Sequence, residues 1–78
     1  MAREQYVVIR ENAEWRISFS GNLYGRYAEK AEAVRIAIET AAKAGAAGLE
    51  AEVLVEGDDG MCRTAWTHGT DAPPPAVG

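Results

Sequence analysis

Two residues of the chain, Cys62 and His68, could form a nucleophile and its base. A cysteine attacks as its thiolate when a histidine takes the proton, and a third group normally orients that histidine. Cys62 alternates with Thr64 and Trp66 in a strand-like stretch, so we expect it to face the core as a small hydrophobe. Nothing in the sequence orients His68, which precedes Gly69. We therefore predict no catalytic residues and no enzymatic activity.

The pair Asp58-Asp59 could supply carboxylate ligands to a metal ion. A calcium loop alternates its acidic residues as D-x-[DN]-x-[DN]-G and adds a distant glutamate, and this pattern is absent here. Aspartates before a glycine, as before Gly60, are also typical of a tight turn between strands. A single cysteine and a single histidine are too few soft ligands for zinc. We expect no metal and no cofactor.

Arginine side chains could bind nucleic-acid phosphates, and Arg10, Arg16 and Arg26 are the candidates for a local basic patch. The 78-residue chain has a net charge of −4 and a pI of about 4.8, which opposes attraction to phosphates. The basic residues are also interleaved with acidic ones. Nucleic-acid binding is therefore kept only as the alternative function.

Aromatic side chains could stack on nucleic-acid bases. Four of them lie in strand-like stretches: Tyr6, Trp15, Phe19 and Trp66. An alanine-rich helix needs large side chains across from it, so we assign these four to the core. Tyr24, Arg26 and Tyr27 could form a contact patch, because tyrosine and arginine are common at interfaces. Packing of Tyr27 under the start of the helix is the alternative.

Residues 5–10 and 15–19 predict two antiparallel strands joined by a tight turn. The predicted cross-strand pairs are Tyr6–Phe19, Val8–Ile17 and Arg10–Trp15. A two-residue turn would place Ala13 at positive φ, where an alanine is strained. We therefore favour a four-residue loop, Glu11 to Glu14, which leaves the pairing unchanged.

The clearest element is a helix over residues 29–45, EKAEAVRIAIETAAKAG. The stretch is rich in strong helix formers, and its small and apolar residues recur at helical spacing. Gly45 is expected to end the helix as its C′ residue. The small side chains should allow the helix to approach a sheet closely. Residues 20–27 are predicted to be a connection that holds a short extended piece around Leu23 and Tyr24.

A second hairpin is predicted after the helix, with strands at residues 50–56 and 61–66 around the turn sequence GDDG. An Asp59-Gly60 loop and an Asp58-Asp59 loop are both possible, and their registers differ by two residues. In both registers the same residues of the return strand face the side of the valines: Cys62, Thr64 and Trp66.

The order hairpin, helix, hairpin predicts an α+β fold, ββαββ, with one helix packed on an antiparallel-rich sheet of about four strands. Residues 1–66 are expected to form this single domain. Residues 67–78, THGTDAPPPAVG, are expected to be a flexible, proline-rich tail. The lone cysteine predicts a reducing, cytoplasmic location, and no apolar run approaches the ~20 residues that span a bilayer.

With these elements placed, the chain resembles an uncharacterised bacterial and phage-associated family of short proteins, held as a domain of unknown function. The resemblance covers about residues 5–70. It rests on the order of four features: the opening Tyr6-Val7-Val8, Trp15 after a tight turn, Tyr27 followed by Lys30-Ala31-Glu32-Ala33, and the strand of Val53 and Val55 with Asp59-Gly60. Family members often carry a Ser or Thr helix cap where this chain has Glu29. The resemblance implies no activity, substrate or catalytic residue.

Four consecutive apolar residues begin the first strand, although a single helix can cover only one face of a sheet. If Tyr6 and Val8 face the core, Val7 and Ile9 point outward, near Leu54 if the two strands are neighbours. The opposite assignment exposes Tyr6 and Val8 instead. Uncovered apolar patches mark partner surfaces. We therefore predict a small, non-enzymatic interaction or accessory module that forms a homodimer through its outer sheet face or edge strands, or binds another protein.

Overall fold

The computed structural model of the chain describes residues 4–69. Its elements follow in the order β1 (Glu4–Glu11), β2 (Glu14–Phe19), β3 (Asn22–Tyr27), α1 (Lys30–Ala46), β4 (Ala51–Glu56) and β5 (Cys62–Thr67). The α+β class with one helix on one sheet is confirmed. The sheet has five strands, however, and the order is βββαββ. The expected tail, residues 67–78, lies outside the described residues from position 70 onward, and Thr67 belongs to β5.

The strands are arranged as β3-β2-β1-β4-β5, so β1 lies in the middle of the sheet. The helix carries the chain from β3 at one edge across to β4, which pairs with β1 in parallel. The other three pairings are antiparallel. The four consecutive apolar residues of β1 place apolar side chains on both faces of this central strand, a pattern typical of strands in parallel pairings.

Two tight turns join the first three strands. Asn12 (φ 49°) and Ala13 (φ 66°) form a two-residue turn with both residues at positive φ, so the expected four-residue loop is wrong. Such a turn matches the twist of the flanking strands, and this fit outweighs the strain of an alanine there. Ser20 (φ 53°) and Gly21 (φ 82°) repeat the same geometry between β2 and β3. The predicted pairs Val8–Ile17 and Arg10–Trp15 are confirmed.

Strand β3 extends over most of the segment that was expected to be a connection. Its glycine and polar residues give a weak strand signal, but the turn before it returns the chain alongside β2. The register shifts between Trp15 and Ile17, opposite Gly25, which has φ 68°. The ring of Tyr27 folds over Gly25, where a side chain would collide with it. A glycine is therefore required here by both the backbone and the neighbouring ring.

The helix ends at Ala46, and its C-terminal capping glycine lies three residues beyond the one that the sequence predicted. Gly45 is inside α1, and the residue with left-handed geometry is Gly48, with φ 96°. The amide of Gly48 donates to the Gly45 carbonyl at 3.0 Å, and that of Leu49 donates to the Ala44 carbonyl at 3.1 Å. These two bonds form a Schellman motif with Gly48 at C′. The assignment of Gly45 as C′ is wrong because a second glycine, three residues on, takes that role.

A stripe of small residues on α1 forms the helical side of the core. Ala33, Ala37 and Ala41 are fully buried, and Gly45 continues the stripe. The sheet presents larger buried side chains to it: Tyr6, Val8, Ile17, Val53 and Trp66. Trp15 and Phe19 pack at the margin, so the assignment of the four aromatic residues to the core is confirmed. Small residues on one side let large ones interdigitate from the other.

The second hairpin has a register that differs from both expected ones. Val53 pairs with Trp66 as predicted, but the register shifts before the next pair, and Leu54 lies opposite Thr64. The extra residue in β5 reverses the face of every residue before it. Cys62 is therefore exposed, and the expectation that it and Thr64 join the valine face is wrong.

The two matched turns provide a test of backbone strain. We expect Ala13→Gly to stabilise the protein by about 1 kcal/mol, because glycine adopts positive φ without a steric penalty. The reciprocal change at the equivalent position, Gly21→Ala, should destabilise it by a similar amount. Urea unfolding followed by circular dichroism measures both. Equal effects of the same sign would contradict the turn assignment.

The alanine stripe should be intolerant of larger side chains. We expect Ala37→Leu to destabilise the protein by about 1–3 kcal/mol, because the helix must move away from the sheet. Ala31 is exposed on the same helix, so Ala31→Leu is the matched control and should change stability by less than about 0.5 kcal/mol. Thermal unfolding of both variants tests this. Equal stabilities would show that the helix does not lie close to the sheet at Ala37.

Candidate functional site

The face of the sheet opposite the helix has an apolar centre. Val7 and Leu54 are directly paired on the neighbouring strands β1 and β4, and Ile9 follows on β1. All three are partly exposed, and within residues 4–69 the single helix packs on the other face. We call Val7, Ile9 and Leu54 the outer patch. Leu23 on β3, 38% exposed, extends the apolar surface beyond Ser18 towards one edge.

Charged residues flank the outer patch on both sides. On β2, Arg16 lies opposite Ile9, and its Nη1 donates to Glu11 Oε1 at 3.0 Å. On β4, Glu56 follows the Val8–Val55 pair, which places it level with Ile9, and its Oε1 accepts the Arg10 amide at 3.0 Å. A positive and a negative side chain therefore lie on opposite sides of β1, at the same level along the strand.

A further polar contact of this face lies where β1 and β4 begin. Gln5 Nε2 donates to Glu52 Oε1 at 2.7 Å across the parallel pair. Glu52 is only 6% exposed although it carries a carboxylate. Hydrogen bonding of this kind is what makes burial of a polar group tolerable. The outer patch is therefore bordered by ordered polar groups.

The three arginines of the alternative, nucleic-acid reading lie apart. Arg10 pairs with Trp15 on the helix side of the sheet, whereas Arg16 faces the outer side. Arg26 is exposed on the edge strand β3. A phosphate-binding patch needs its cations on one surface, and neighbouring strands here direct Arg10 and Arg16 to opposite faces.

Cys62 and His68 are at opposite ends of β5, which separates them by about 20 Å at the usual rise per residue. The expectation that nothing orients His68 is wrong. Its amide donates to the Ala51 carbonyl at 3.0 Å, and its ring meets the edge of Trp66 at a centroid distance of 6.1 Å. The ring also lies against Gly45, where a side chain would overlap it. His68 thus packs between the helix end and β5.

The Asp58-Asp59 segment forms the turn before β5. The carboxylate of Asp59 accepts the Met61 amide at 3.0 Å and the guanidinium of Arg63 at 2.8 Å. The hydrogen bond from Arg63 is the main reason that the pKa of Asp59 is lowered, and the Met61 amide adds to it. Both contacts are local and fix the turn. No group of three or more potential metal ligands occurs in the described part of the chain.

A cleft on the helix side was missed by the sequence reasoning. It has a volume of about 300 Å³ and lies between α1 and the β2–β3 hairpin. We call it the aromatic cleft, and its lining residues are Tyr6, Ile17, Phe19, Tyr24, Tyr27, Ile36 and Thr40. The rings of Tyr6 and Phe19 stack in parallel with centroids 4.5 Å apart. The sequence signal was the cluster Tyr24–Tyr27, which was interpreted as a contact patch or as packing beneath the helix.

The cleft exists because the helix is off-centre. α1 packs mainly over β1 and β4 and touches β2 and β3 less. Tyr27 is partly buried at the margin of the core, whereas Tyr24 remains 49% exposed. Burial raises the pKa of the Tyr6 phenol, and repulsion from Glu4 adds to this. Tyr6 therefore stays a neutral hydrogen-bonding group at physiological pH.

No family model, curated protein or solved structure matches the chain. The resemblance to the uncharacterised family of short proteins therefore stays a prediction. Among residues 4–69 there is no helix of the length and apolarity needed to cross a bilayer. In the described part of the chain, the outer patch and the aromatic cleft are partly exposed apolar surfaces on opposite faces of the sheet.

The contact between His68 and the helix end can be tested by a double-mutant cycle. Gly45→Ala should not stabilise the helix in the normal chain, because the added methyl group displaces the His68 ring. In the His68→Ala background the same change should stabilise by about 0.5–1 kcal/mol through helix propensity. Urea unfolding of the four proteins gives the coupling. An identical effect of Gly45→Ala in both backgrounds would show that the ring does not pack there.

Proposed function

We propose that the protein is a small, non-enzymatic interaction module that acts as a homodimer through the outer face of its sheet. The observation that carries this proposal is the Val7–Leu54 pair, with Ile9 beside it, on a face that the helix leaves uncovered. Its role would be accessory, in binding or stabilising a protein assembly.

The parallel pairing of β1 and β4 supports coverage of the outer patch. Parallel strands occur mostly where both faces of the sheet are covered, and their sequences are correspondingly apolar on both faces. Here β1 has apolar residues on both faces, with Tyr6 and Val8 towards the helix and Val7 and Ile9 away from it. A second copy of the chain would provide the missing layer, as in a sheet-on-sheet sandwich.

The charges around the patch are complementary under two-fold symmetry. If two sheets face each other about an axis that runs along β1, the β2 side of one copy lies over the β4 side of the other. Arg16 of each copy then faces Glu56 of its partner, because both are level with Ile9. The same symmetry stacks Val7 and Ile9 of the two copies at the centre, with Leu54 opposite the partner's Ser18, as expected for an interface with a polar rim.

The size of the face predicts a dissociable dimer. Five strands spaced about 4.8 Å apart, with about six residues each, give a flat area of about 400 Å². This value is below the ~800 Å² per partner that is typical of stable specific complexes. We therefore expect a weak, reversible dimer whose population depends on the protein concentration.

Sedimentation equilibrium over a wide concentration range tests the homodimer. The normal chain should show a reversible monomer–dimer equilibrium, and Val7→Lys or Ile9→Lys should shift it at least tenfold towards monomer, because a buried lysine must be desolvated. Ala31→Lys, on the exposed side of the helix, is the control and should leave it unchanged. A normal chain that remains monomeric at millimolar concentration would overturn the proposal.

The orientation of the two copies can be tested by exchanging charges. Arg16→Glu should weaken the dimer, since Glu56 of the partner would then face a like charge. The double variant Arg16→Glu/Glu56→Arg should restore association, because the exchanged charges again meet as opposites. Glu11→Gln controls for loss of the internal Arg16–Glu11 contact. Equal weakening of the dimer in the single and double variants would exclude this orientation. Dimers with another orientation would still be tested by Val7→Lys and Ile9→Lys.

A further inference from the structure

We propose that the aromatic cleft binds a neutral, flat molecule of about two fused rings that carries a hydrogen-bond donor. The cleft lies between α1 and the β2–β3 hairpin, on the helix side of the sheet, and the outer patch lies on the other face. Binding in the cleft therefore does not depend on the proposed dimer. Three properties of the cleft indicate this class of ligand: its aromatic walls, its volume and its uncharged lining.

The walls of the cleft are aromatic and already in place. The rings of Tyr6 and Phe19 stack in parallel with their centroids 4.5 Å apart, and Tyr6 is buried. Tyr27 folds over Gly25, which holds its ring beside the cleft. Tyr24 is 49% exposed, so a bound molecule would cover part of its ring. Aromatic side chains accept another ring by offset stacking or by edge contact, and such walls therefore favour a flat aromatic ligand.

The volume of the cleft limits the size of the ligand. An engineered protein cavity of about 150 Å³ binds benzene. The aromatic cleft has a volume of about 300 Å³, which is twice as large and leaves room for a second fused ring. A larger molecule would project into solvent, where it gains few further contacts with the walls. We therefore expect a small molecule, and not a macromolecule, as the occupant of the cleft.

The lining also determines the charge of the ligand. Among the residues that the structure describes, none that lines the cleft is an acid or a base: Ile17, Phe19 and Ile36 are apolar, and the others carry hydroxyl groups. Burial raises the pKa of the Tyr6 phenol, and repulsion from Glu4 adds to this, so Tyr6 is neutral as well. An ionic group in the cleft would lose hydration without an opposite charge to offset the loss. A neutral ligand matches this lining.

The hydroxyl groups of the lining can orient the ligand. Thr40 Oγ1 donates to the Ile36 carbonyl at 2.9 Å, so its hydrogen is already used and its oxygen is left as an acceptor. A hydrogen-bond donor on the ligand fits this oxygen. The phenols of Tyr6, Tyr24 and Tyr27 can donate or accept. Mostly apolar walls with a few polar groups are the usual composition of small-molecule sites, and here they indicate a phenol-like or indole-like ligand.

Nuclear magnetic resonance of the full chain, titrated with 2-naphthol as the probe, tests this assignment. We expect saturable binding with a dissociation constant of about 1 mM, the affinity usual for a ligand of this size. Ring-current shifts should appear on the methyl groups of Ile17, Ile36 and Thr40, which line the cleft. The methyl groups of Val7 and Leu54 on the other face report binding at the outer patch. Shifts confined to the outer patch, or shifts that do not saturate, would overturn the proposal.

Three analogues of similar size test the charge and the shape of the ligand. The probe 2-naphthoate adds a negative charge, 1-naphthylmethylammonium adds a positive charge, and decahydro-2-naphthol keeps the hydroxyl group but lacks the flat rings. Each should bind at least tenfold more weakly than 2-naphthol, because the cleft offers no opposite charge in its described lining and favours ring stacking. Discrimination of less than tenfold against any of the three would overturn the assigned ligand class.

Variants of two exposed lining residues place the probe in the cleft. Tyr24→Ser removes a ring from the wall, and Thr40→Phe fills the cleft from the helix; each should weaken 2-naphthol binding at least fivefold. Tyr24→Phe keeps the ring and should retain the affinity. Met61→Ser, a change of an exposed residue outside the cleft, and Val7→Lys, on the other face, should also leave it unchanged. Unchanged binding in Tyr24→Ser or Thr40→Phe, or loss of binding in Val7→Lys, would overturn the proposal.

Discussion

The close contact between the alanine stripe of α1 and the centre of the sheet is the interaction on which the rest of the structure depends. Ala33, Ala37 and Ala41 are fully buried and bring the helix near β1 and β4, where Val8 and Val53 are also fully buried. A short chain has little other apolar surface to bury, so this interdigitation must supply much of the hydrophobic stabilisation. The helix covers one face of the sheet and packs mainly over β1 and β4, so within residues 4–69 it leaves uncovered both the outer patch on the opposite face and the β2–β3 side of its own face.

Those two regions are where function can be sought. On the helix side, the distance of α1 from β2 and β3 leaves the aromatic cleft, whose walls are large rings rather than small stripe residues. On the other side, the outer patch lies on the most central strands, where neighbouring strands cannot shield it. The two surfaces face opposite directions.

The central position of β1 connects the sequence pattern with these surfaces. Its four consecutive apolar residues supply both faces: Tyr6 reaches the cleft and the core, and Val7 and Ile9 form most of the outer patch. Local glycines refine the arrangement at its margins. Gly25 allows Tyr27 to fold down beside the cleft, and Gly45 admits the His68 ring at the helix end. Small residues thus determine where large side chains can pack.

The sequence alone determined the helix and the pairing of the first hairpin, because periodicity and cross-strand alternation are local signals. It left both faces of β1 open, since four consecutive apolar residues do not alternate, and the tertiary structure placed Tyr6 and Val8 in the core. The sequence did not reveal β3, the bulge that turns Cys62 outward, or the role of Gly48 at the helix end. A weak strand and a loop, two neighbouring registers, or two candidate capping glycines differ only slightly in local free energy. Tertiary contacts therefore decide between the members of each pair. The parallel β1–β4 pairing and the off-centre helix were likewise decided only by tertiary structure, because they depend on residues far apart in the chain meeting in one core.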